Sequence, residues 1–480
     1  MTNKSLSVPK MGILGLQHMF AMFGATILVP LLSGLSVQVT LVAVGVGTLI
    51  FHFFAKGRVP AFLGSSFAFL VGIRLITDPT AGIFQVEMVG DYVQILGNMS
   101  GLAAGSTVAL NDFVQHALPY ATGGILVSGL MYLLFALLVK LVGVKTFMTY
   151  MPPVVTAPTV ILIGIMLAPF AISQSAENML LAIVTLAIVI CAASWGRGMI
   201  KIIPILLGIF GAYVLALILH NFTGMTNADG SAIINFAGAA RRVAGVEYIA
   251  GAGSGQYISE VGIVGLPPFM RPRFNLIAIL IMIPFAIATI AEHVGDMVAL
   301  SGITGEDFIN DPGLSRTLIG DGVASCFSGL IGGPASTTYG ENVGVVALTK
   351  VFNPRVVLLA AIFASVLAFS PLFAVVIYSI PNAIIGGASF MLYGMIAAVG
   401  VRNLVESRTD MSKTKNLTVV AIMLVTGLGL RFGPAITFSI GGTSVPVDRL
   451  GIAIAVVLGV VLNAVLPDGG EDSAPEAAAE

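Results

Sequence analysis

In the stretch IATIAEHVGDMVAL, Glu292 and Asp296 stand four residues apart among apolar neighbours. On a helix that spacing puts both carboxylates on one face, with His293 turned about 100° away. A third acid, Glu341, lies in GPASTTYGENVGVVALTK, directly after a run of hydroxyls and a glycine. Ionisable groups at hydrocarbon depth are expensive and mark substrate or ion paths by default. Carboxylate oxygens accept hydrogen bonds from N–H donors, and burial favours their neutral form. The chemistry these acids suit is therefore acceptance of hydrogen bonds from N–H donors and carriage of a proton. The competing reading is that they bond to serines or backbone carbonyls and lock helices together. That reading weighs most for His293, a packing histidine first and a proton-path residue second, and for Asp321, which sits between glycines in LIGDGVAS.

Acids at such depth need elements to hold them. A window of about twenty residues finds apolar segments near 11–33, 38–55, 60–74, 119–139, 152–171, 178–194, 200–219, 276–303, 316–331, 334–348, 355–379, 381–400, 415–431 and 448–466. The third and tenth are short and interrupted, by GSS and by STTYG, and they fall at matching places when the chain is split near residue 240. Seven segments per half give the halves opposite topology. An inverted repeat with one broken span in each half points to a secondary transporter whose site lies at the midplane. Unpaired backbone groups are costly in lipid, so each break must be buried in protein or line a cavity. Ser, Thr, Phe and Tyr favour extended backbone, and each break runs into a stretch that opens a helix. The predicted fold is an all-α polytopic membrane protein of about 14 transmembrane segments in a 7+7 inverted repeat, with short β-strands in segments 3 and 10. If those strands cross head to head, two half-helix N-termini aim their positive ends at one point, with Phe67 at one and Glu341 at the other.

Composition agrees with this frame. The chain is 57% hydrophobic and 9% charged, against about a quarter charged residues in soluble domains. A net charge of -1 without a basic cluster argues against nucleic acid as a partner. Cys191 and Cys326 are far apart and lack zinc or disulfide spacing. The histidines are scattered and HExxH and GxSxG are absent, so neither an enzyme nor a metal site is expected. One acid cluster does not make the repeated rings of a channel filter. The apolar run after MTNKSLSVPK is too long for a signal-peptide core and reads as a retained first span. Lys4, Lys10, Lys56, Arg58, Lys140, Lys145, Arg197, Lys201, Arg316, Lys350, Arg355, Arg402, Arg408, Lys413 and Lys415 fall on one side when the N-terminus starts inside. A multi-pass protein of the cell membrane with both termini cytoplasmic is predicted. Arg241, Arg242, Arg271 and Arg273 depart from this pattern, in a loop, 220–273, long enough for the charge rule to weaken. The acidic tail 467–480 reads as disordered.

The segment ENVGVVALTK, Glu341 to Lys350, resembles the signature of the nucleobase-ascorbate transporters, the nucleobase:cation symporter-2 family. GLQHMFAMFGATILVPLL around Gln17 and His18, VPAFLGSSFAF from Val59, AEH from Ala291 and MPPVVTAPTVILIG carry the resemblance over nearly the whole chain. The Tyr-Gly-Glu-Asn and Ala-Glu-His forms resemble the uracil permeases within it. The resemblance implies a core domain of spans 1–4 and 8–11 (11–139 and 276–379), a gate domain of spans 5–7 and 12–14 (152–219 and 381–466), and homodimers through the gate. It implies that Glu292 and Glu341 accept the ring N–H groups of uracil, that backbone N–H groups of Phe67 and Gly340 donate to its carbonyls, and that Tyr339 lines the pocket. Gln17, His18 and Asn342 would be structural polar residues. In many uracil permeases a second histidine stands where this chain has Asp296, and xanthine-type members tend to carry an acid there. The chain is uracil-like at Glu341 and purine-like at Asp296, so a xanthine or urate permease is the alternative within the family. An anion carrier of the same architecture is the alternative outside it, disfavoured by Glu292 and Glu341 at close range.

Glu292 and Asp296, with His293 beside them, are the candidate proton carriers. External protonation would make the site competent for uracil, and internal release would reset it. No cofactor is expected beyond the coupling ion, H+, which sodium could replace.

Overall fold

A computed structural model describes residues 7–81, 83–90, 92–97, 99, 101–150, 152–244, 261–434, 436–440 and 443–467, with the side chains of Ala81, Phe147, Met148, Tyr150, Glu341, residues 437–440 and 443–446, Asp448 and Arg449 outside that description. The acidic tail after Pro467 also lies outside the described residues.

The chain opens with helices α1 (Val8–Ser33) and α2 (Val37–Phe54), divided at Gly34, whose φ of 86° only glycine adopts without strain. Strand β1 (Leu63–Ser65) leads into the short α3 (Ala68–Thr77). An antiparallel sheet of β2 (Val86–Val89), β3 (Tyr92–Ile95) and β4 (Thr107–Ala109) follows. Next come α4 (Leu110–Val142), α5 (Val144–Tyr150), α6 (Pro153–Ser175), α7 (Met179–Trp195), α8 (Met199–Ile202), α9 (Pro204–Phe222) and α10 (Phe236–Ala244). The second half begins with α11 (Leu276–Thr304), capped by Asn275, whose side chain accepts from the amides of Ile277 and Ala278. After α12 (Leu314–Ile331), strand β5 (Ser336–Thr338) leads into the short α13 (Gly340–Thr349). The rest is α14 (Pro354–Leu367), α15 (Pro371–Tyr378), α16 (Asn382–Glu406), α17 (Thr414–Phe432), the hairpin β6 (Thr437–Ile440) and β7 (Thr443–Pro446), and α18 (Gly451–Val465).

Among the described residues, eight helices are long and apolar enough to cross a membrane, and α14 with α15, bent by 88°, makes a ninth. Every one of the predicted apolar segments contains a helix, but α3, α7, α13 and α18 are shorter. In α3 and α13 the shortness has a plain cause, since the first residues of each segment are spent on a strand. Other differences are physical too. Helix α4 starts nine residues before the predicted segment, because Asn111, Asp112, Gln115 and His116 hide an amphipathic first turn that packs Phe113 and Ala117 on the β2–β4 sheet. The stretch between the third and fourth predicted segments thus holds the β2–β4 sheet and the first turns of α4. Segment 355–379 is broken at Ser370, which caps α15 by accepting from the amide of Phe373, with Pro371 setting the first turn.

The helices pack in two groups. Helix α12 lies between α4 and α2, α11 packs on α4 and α3, and α14 packs on α1 and α2. In the other group α16 packs on α6 and α7, α17 on α6 and α18, and α7 on α9. Glycines let backbones touch, as is usual between membrane helices. A Cβ added to Gly129 of α4 would sit 2.8 Å from the carbonyl of Gly322 in α12, and one on Gly322 would sit 2.9 Å from that of Gly129.

Candidate functional site

The two broken segments meet. Strands β1 and β5 pair antiparallel, Leu63 opposite Thr338, Gly64 opposite Thr337 and Ser65 opposite Ser336. The amide of Ser66 donates to Ala335 at 2.9 Å and that of Tyr339 to Phe62 at 3.3 Å, so the ribbon runs one residue past each strand. A two-stranded ribbon has two open edges, and here both are buried, where unmet backbone groups are costly. Neighbouring helices answer them. Thr48 of α2 accepts from the amide of Leu63 at 3.0 Å, Ser325 of α12 donates to the carbonyl of Ser336 at 2.7 Å, and Asp321 accepts from the amide of Thr338 at 3.3 Å. This explains the hydroxyl-rich sequence on both sides of the ribbon.

Antiparallel pairing sends α3 and α13 away in opposite directions from a common centre. Phe67 is the N-cap of α3 and Tyr339 that of α13, and neither helix start is met by a capping side chain. The first N–H groups of each helix have no acceptor within the helix, so two sets of donors and two positive dipole ends face the same place. Gly340 and Glu341 open α13. The predicted role of the Glu341 carboxylate falls outside the described side chains.

Glu292, from the middle of α11, joins Ser66, Phe67, Ala68, Thr337 and Tyr339 around one cavity, closed on its far side by Val160 and Ile163 of α6 and Ile396 of α16. Asp296, one turn further along α11, comes beside the start of α13, its Oδ1 3.6 Å from where a Gly340 Cβ would be. Tyr339 is buried, with its hydroxyl donating to the Ser65 carbonyl at 3.0 Å and lying 3.1 Å from the Ser65 Oγ. Its ring lies against Gly64 so closely that a Cβ there would fall inside it.

His293 does not share the cavity with Glu292. It is fully buried, its Nε2 2.8 Å from the Thr317 hydroxyl and its Nδ1 2.9 Å from Asp321 and 3.1 Å from Thr338. With both nitrogens engaged, it has the environment of a packing histidine and ties α11 to α12 and β5. Asp321 likewise turns away from the α4–α12 crossing at Gly322 and toward the ribbon. Asn342 is buried and donates to the Pro60 carbonyl at 2.9 Å, holding α13 to the entry of β1. Gln17 is half-buried on α1, and His18 is buried there, its ring nitrogens without a hydrogen-bond partner among the described residues.

Sequence reasoning missed the far wall. Tyr393 of α16 is buried and meets Phe67 edge-on, ring centroids 6.4 Å apart. A lone tyrosine in the apolar stretch SFMLYGMIAAVG gave no signal by type or spacing.

A pair of opposed half-helices around a short antiparallel ribbon, with an acid beside them, defines a class of membrane carrier. The sequence model described as "Permease family" matches residues 9–436. The chain belongs to that family, the nucleobase-ascorbate transporters its motifs resemble, and is a transporter rather than an enzyme. It is 37% identical over 476 residues to a uracil permease of Bacillus subtilis, covering 96% of this chain and 93% of that one. It is 32% identical over 461 residues to a uracil permease of Escherichia coli K12, covering 94% and 90%. The transmembrane domain of the cyanobacterial bicarbonate transporter BicA has a similar fold, with a TM-score of 0.53 at 16% identity over 96% of this chain and 98% of that one. The murine anion transporter Slc26a9 in its inward-facing state gives 0.59 at 12% identity over 96% and 69%.

Proposed function

We propose that the protein imports uracil with protons across the cell membrane by alternating access. The observation that carries this is the junction of β1 and β5, where the N-termini of α3 and α13 converge beside Glu292. Uracil is a flat ring whose edge alternates N–H donors with carbonyl acceptors. Helix-start amides at Phe67 and Gly340 supply donors, and Glu292 with Glu341 supplies acceptors, which is the complementary pattern. The uracil permeases among its relatives support the choice of base.

The two helix groups take the parts of a core domain (11–139 and 276–379) and a gate domain (152–219 and 381–466), in an inverted repeat of fourteen spans. Core elements carry the ribbon and the acids. The gate closes the cavity with Val160, Ile163 and Ile396 and holds the homodimer together. Both termini are cytoplasmic. Glu292 and Asp296 are the proton carriers, with no other cofactor, and a proton entering from outside makes the site competent for the base. His293 acts by holding β5. A second reading, a xanthine-type purine permease, draws on Asp296, whose carboxylate lies beside Gly340 at the start of α13.

The test is uptake of labelled uracil and labelled xanthine into vesicles holding the purified protein under an inward proton gradient. Wild type should accumulate uracil, and Glu292→Gln should lose at least tenfold in uptake, since removal of a charged hydrogen-bond partner costs about 1.5–3 kcal/mol. Xanthine uptake with uracil ignored would overturn the pyrimidine assignment, and uptake of neither base would overturn the nucleobase reading.

A further inference from the structure

Phe67 is the foot of α3, and Arg74 stands seven residues further along. Seven residues are two helical turns, about 10 Å along the axis and on nearly the same face. Arg74 therefore overhangs the base cavity on the side toward which α3 departs. Its guanidinium carbon lies 5.2 Å from the centroid of the Phe170 ring in α6. Its charge also acts on Tyr393 of α16, the residue that meets Phe67. Among the described residues no carboxylate forms an ion pair with it, and its Nε has no hydrogen-bond partner.

An arginine at this depth is costly unless its contacts return something. The Phe170 contact runs from α3 to a helix of the other packing group, and the charge on Arg74 acts on Tyr393 in that same group. The residues flanking it do the same, with Val71 and Leu75 facing Met166 of α6 and Ile452 of α18 across a narrow cleft. A guanidinium over an aromatic face gains most when water is excluded. That condition holds only while the two groups are closed over α3, and opening the cleft exchanges the ring for water.

We infer that Arg74 is the latch of the outer gate, a positioning residue that closes the external path over the base by docking on Phe170. The inference rests on the alternating-access reading and on the orientation given above, in which α3 runs outward from the midplane. Releasing the latch favours the outward-open form, by the population shift that any state-specific contact produces. Because Phe67 meets Tyr393 of the other packing group, a base seated against Phe67 favours the same closed arrangement.

The test places a reporter cysteine by Leu75→Cys in a background lacking Cys191 and Cys326, in cells treated externally with a membrane-impermeant maleimide. Leu75 is buried in the closed cleft, so labelling should be slow with Arg74 present. Labelling should be about thirtyfold faster with Arg74→Ala, the factor expected for loss of one desolvated cation–π contact. Arg74→Lys, which keeps a cation for the ring, should fall between them. In uptake, Arg74→Ala should lower the KM for external uracil while also lowering the maximal rate, a split that simple loss of folded protein would not give. Equal labelling in all three backgrounds overturns the latch and leaves the transport reading standing. A reporter parent that takes up no uracil overturns the reading on which the latch rests, and labelling confined to inside-out vesicles overturns the orientation and the outer latch together.

Discussion

Gly64 and Tyr339 are the two residues on which the ribbon turns, and they fail differently. The Tyr339 ring occupies the space where any Cβ at Gly64 would be, so Gly64→Ala must push the ring, the strand or both. Overpacking of this kind costs about 1–3 kcal/mol, and the displaced ring is a wall of the cavity. Gly64→Ala should lower the melting temperature of the detergent-solubilised protein and abolish stabilisation by added uracil. Tyr339→Phe keeps the ring and removes the hydroxyl with its hydrogen bonds to Ser65, at a cost of about 1 kcal/mol. It should melt earlier than wild type yet still be stabilised by uracil. Equal losses of ligand stabilisation in the two variants would show that the hydroxyl, rather than the ring, is what the cavity needs. The residues of this site were legible in the sequence wherever a rare type stood in an apolar run, as with Glu292, Asp296 and the hydroxyl clusters. Tyr393 was not, because it meets Phe67 from a helix more than three hundred residues further along the chain and only the packed structure brings them together.

At the scale of elements, the breaks in two spans were legible because glycine and hydroxyl residues interrupt otherwise continuous hydropathy. The support of those breaks was less so. A strand of three residues has too few hydrogen bonds to persist alone, and here Thr48, Ser325 and Asp321 complete its edges from α2 and α12. Asp321 also meets His293, so one carboxylate joins α11, α12 and β5. Removing the Asp321 carboxylate leaves the buried Thr338 amide without its acceptor and takes from His293 Nδ1 the nearer of its two partners, and a buried polar group left unsatisfied costs about 1–3 kcal/mol. Asp321→Leu should therefore fail to accumulate as folded protein, or melt far below wild type, with or without uracil. Asp321→Asn keeps an acceptor for Thr338 and should fold with a smaller loss, measured by fluorescence-detected size exclusion after heating. If Asp321→Leu were as stable as wild type but inactive, Asp321 would belong to the transport path instead of the scaffold. The β2–β4 sheet and the early start of α4 were hidden for another reason. They form a small satellite core around Val93, Ile95, Met99 and Phe113, whose alternation is too short to stand out from loop sequence.

The whole molecule was the easiest scale to read and the hardest to complete. Composition alone made it a polytopic membrane protein, because transfer energies add along the chain, and the loop bias of Lys and Arg is what the proposed orientation rests on. Which helices pack with which did not follow, since lipid-facing and protein-facing residues are equally apolar here. The energetics of the proposed cycle also belong to this scale. Uracil is neutral near pH 7, so one proton per base moves one positive charge inward per turn. Each charge is worth about 2.3 kcal/mol per 100 mV, which sets a limit of about fiftyfold accumulation for each 100 mV. Vesicles given an interior-negative potassium diffusion potential, at equal pH on both sides and without sodium, should concentrate uracil toward that limit and lose it on adding a protonophore. The same potential should have no such effect on Glu292→Gln, whose amide neither takes up nor releases a proton near pH 7. Accumulation that appears only when sodium is supplied would make sodium the coupling ion. Accumulation indifferent to the potential would require a second, compensating charge to move, and the acids beside the cavity would then be binding groups without a part in coupling.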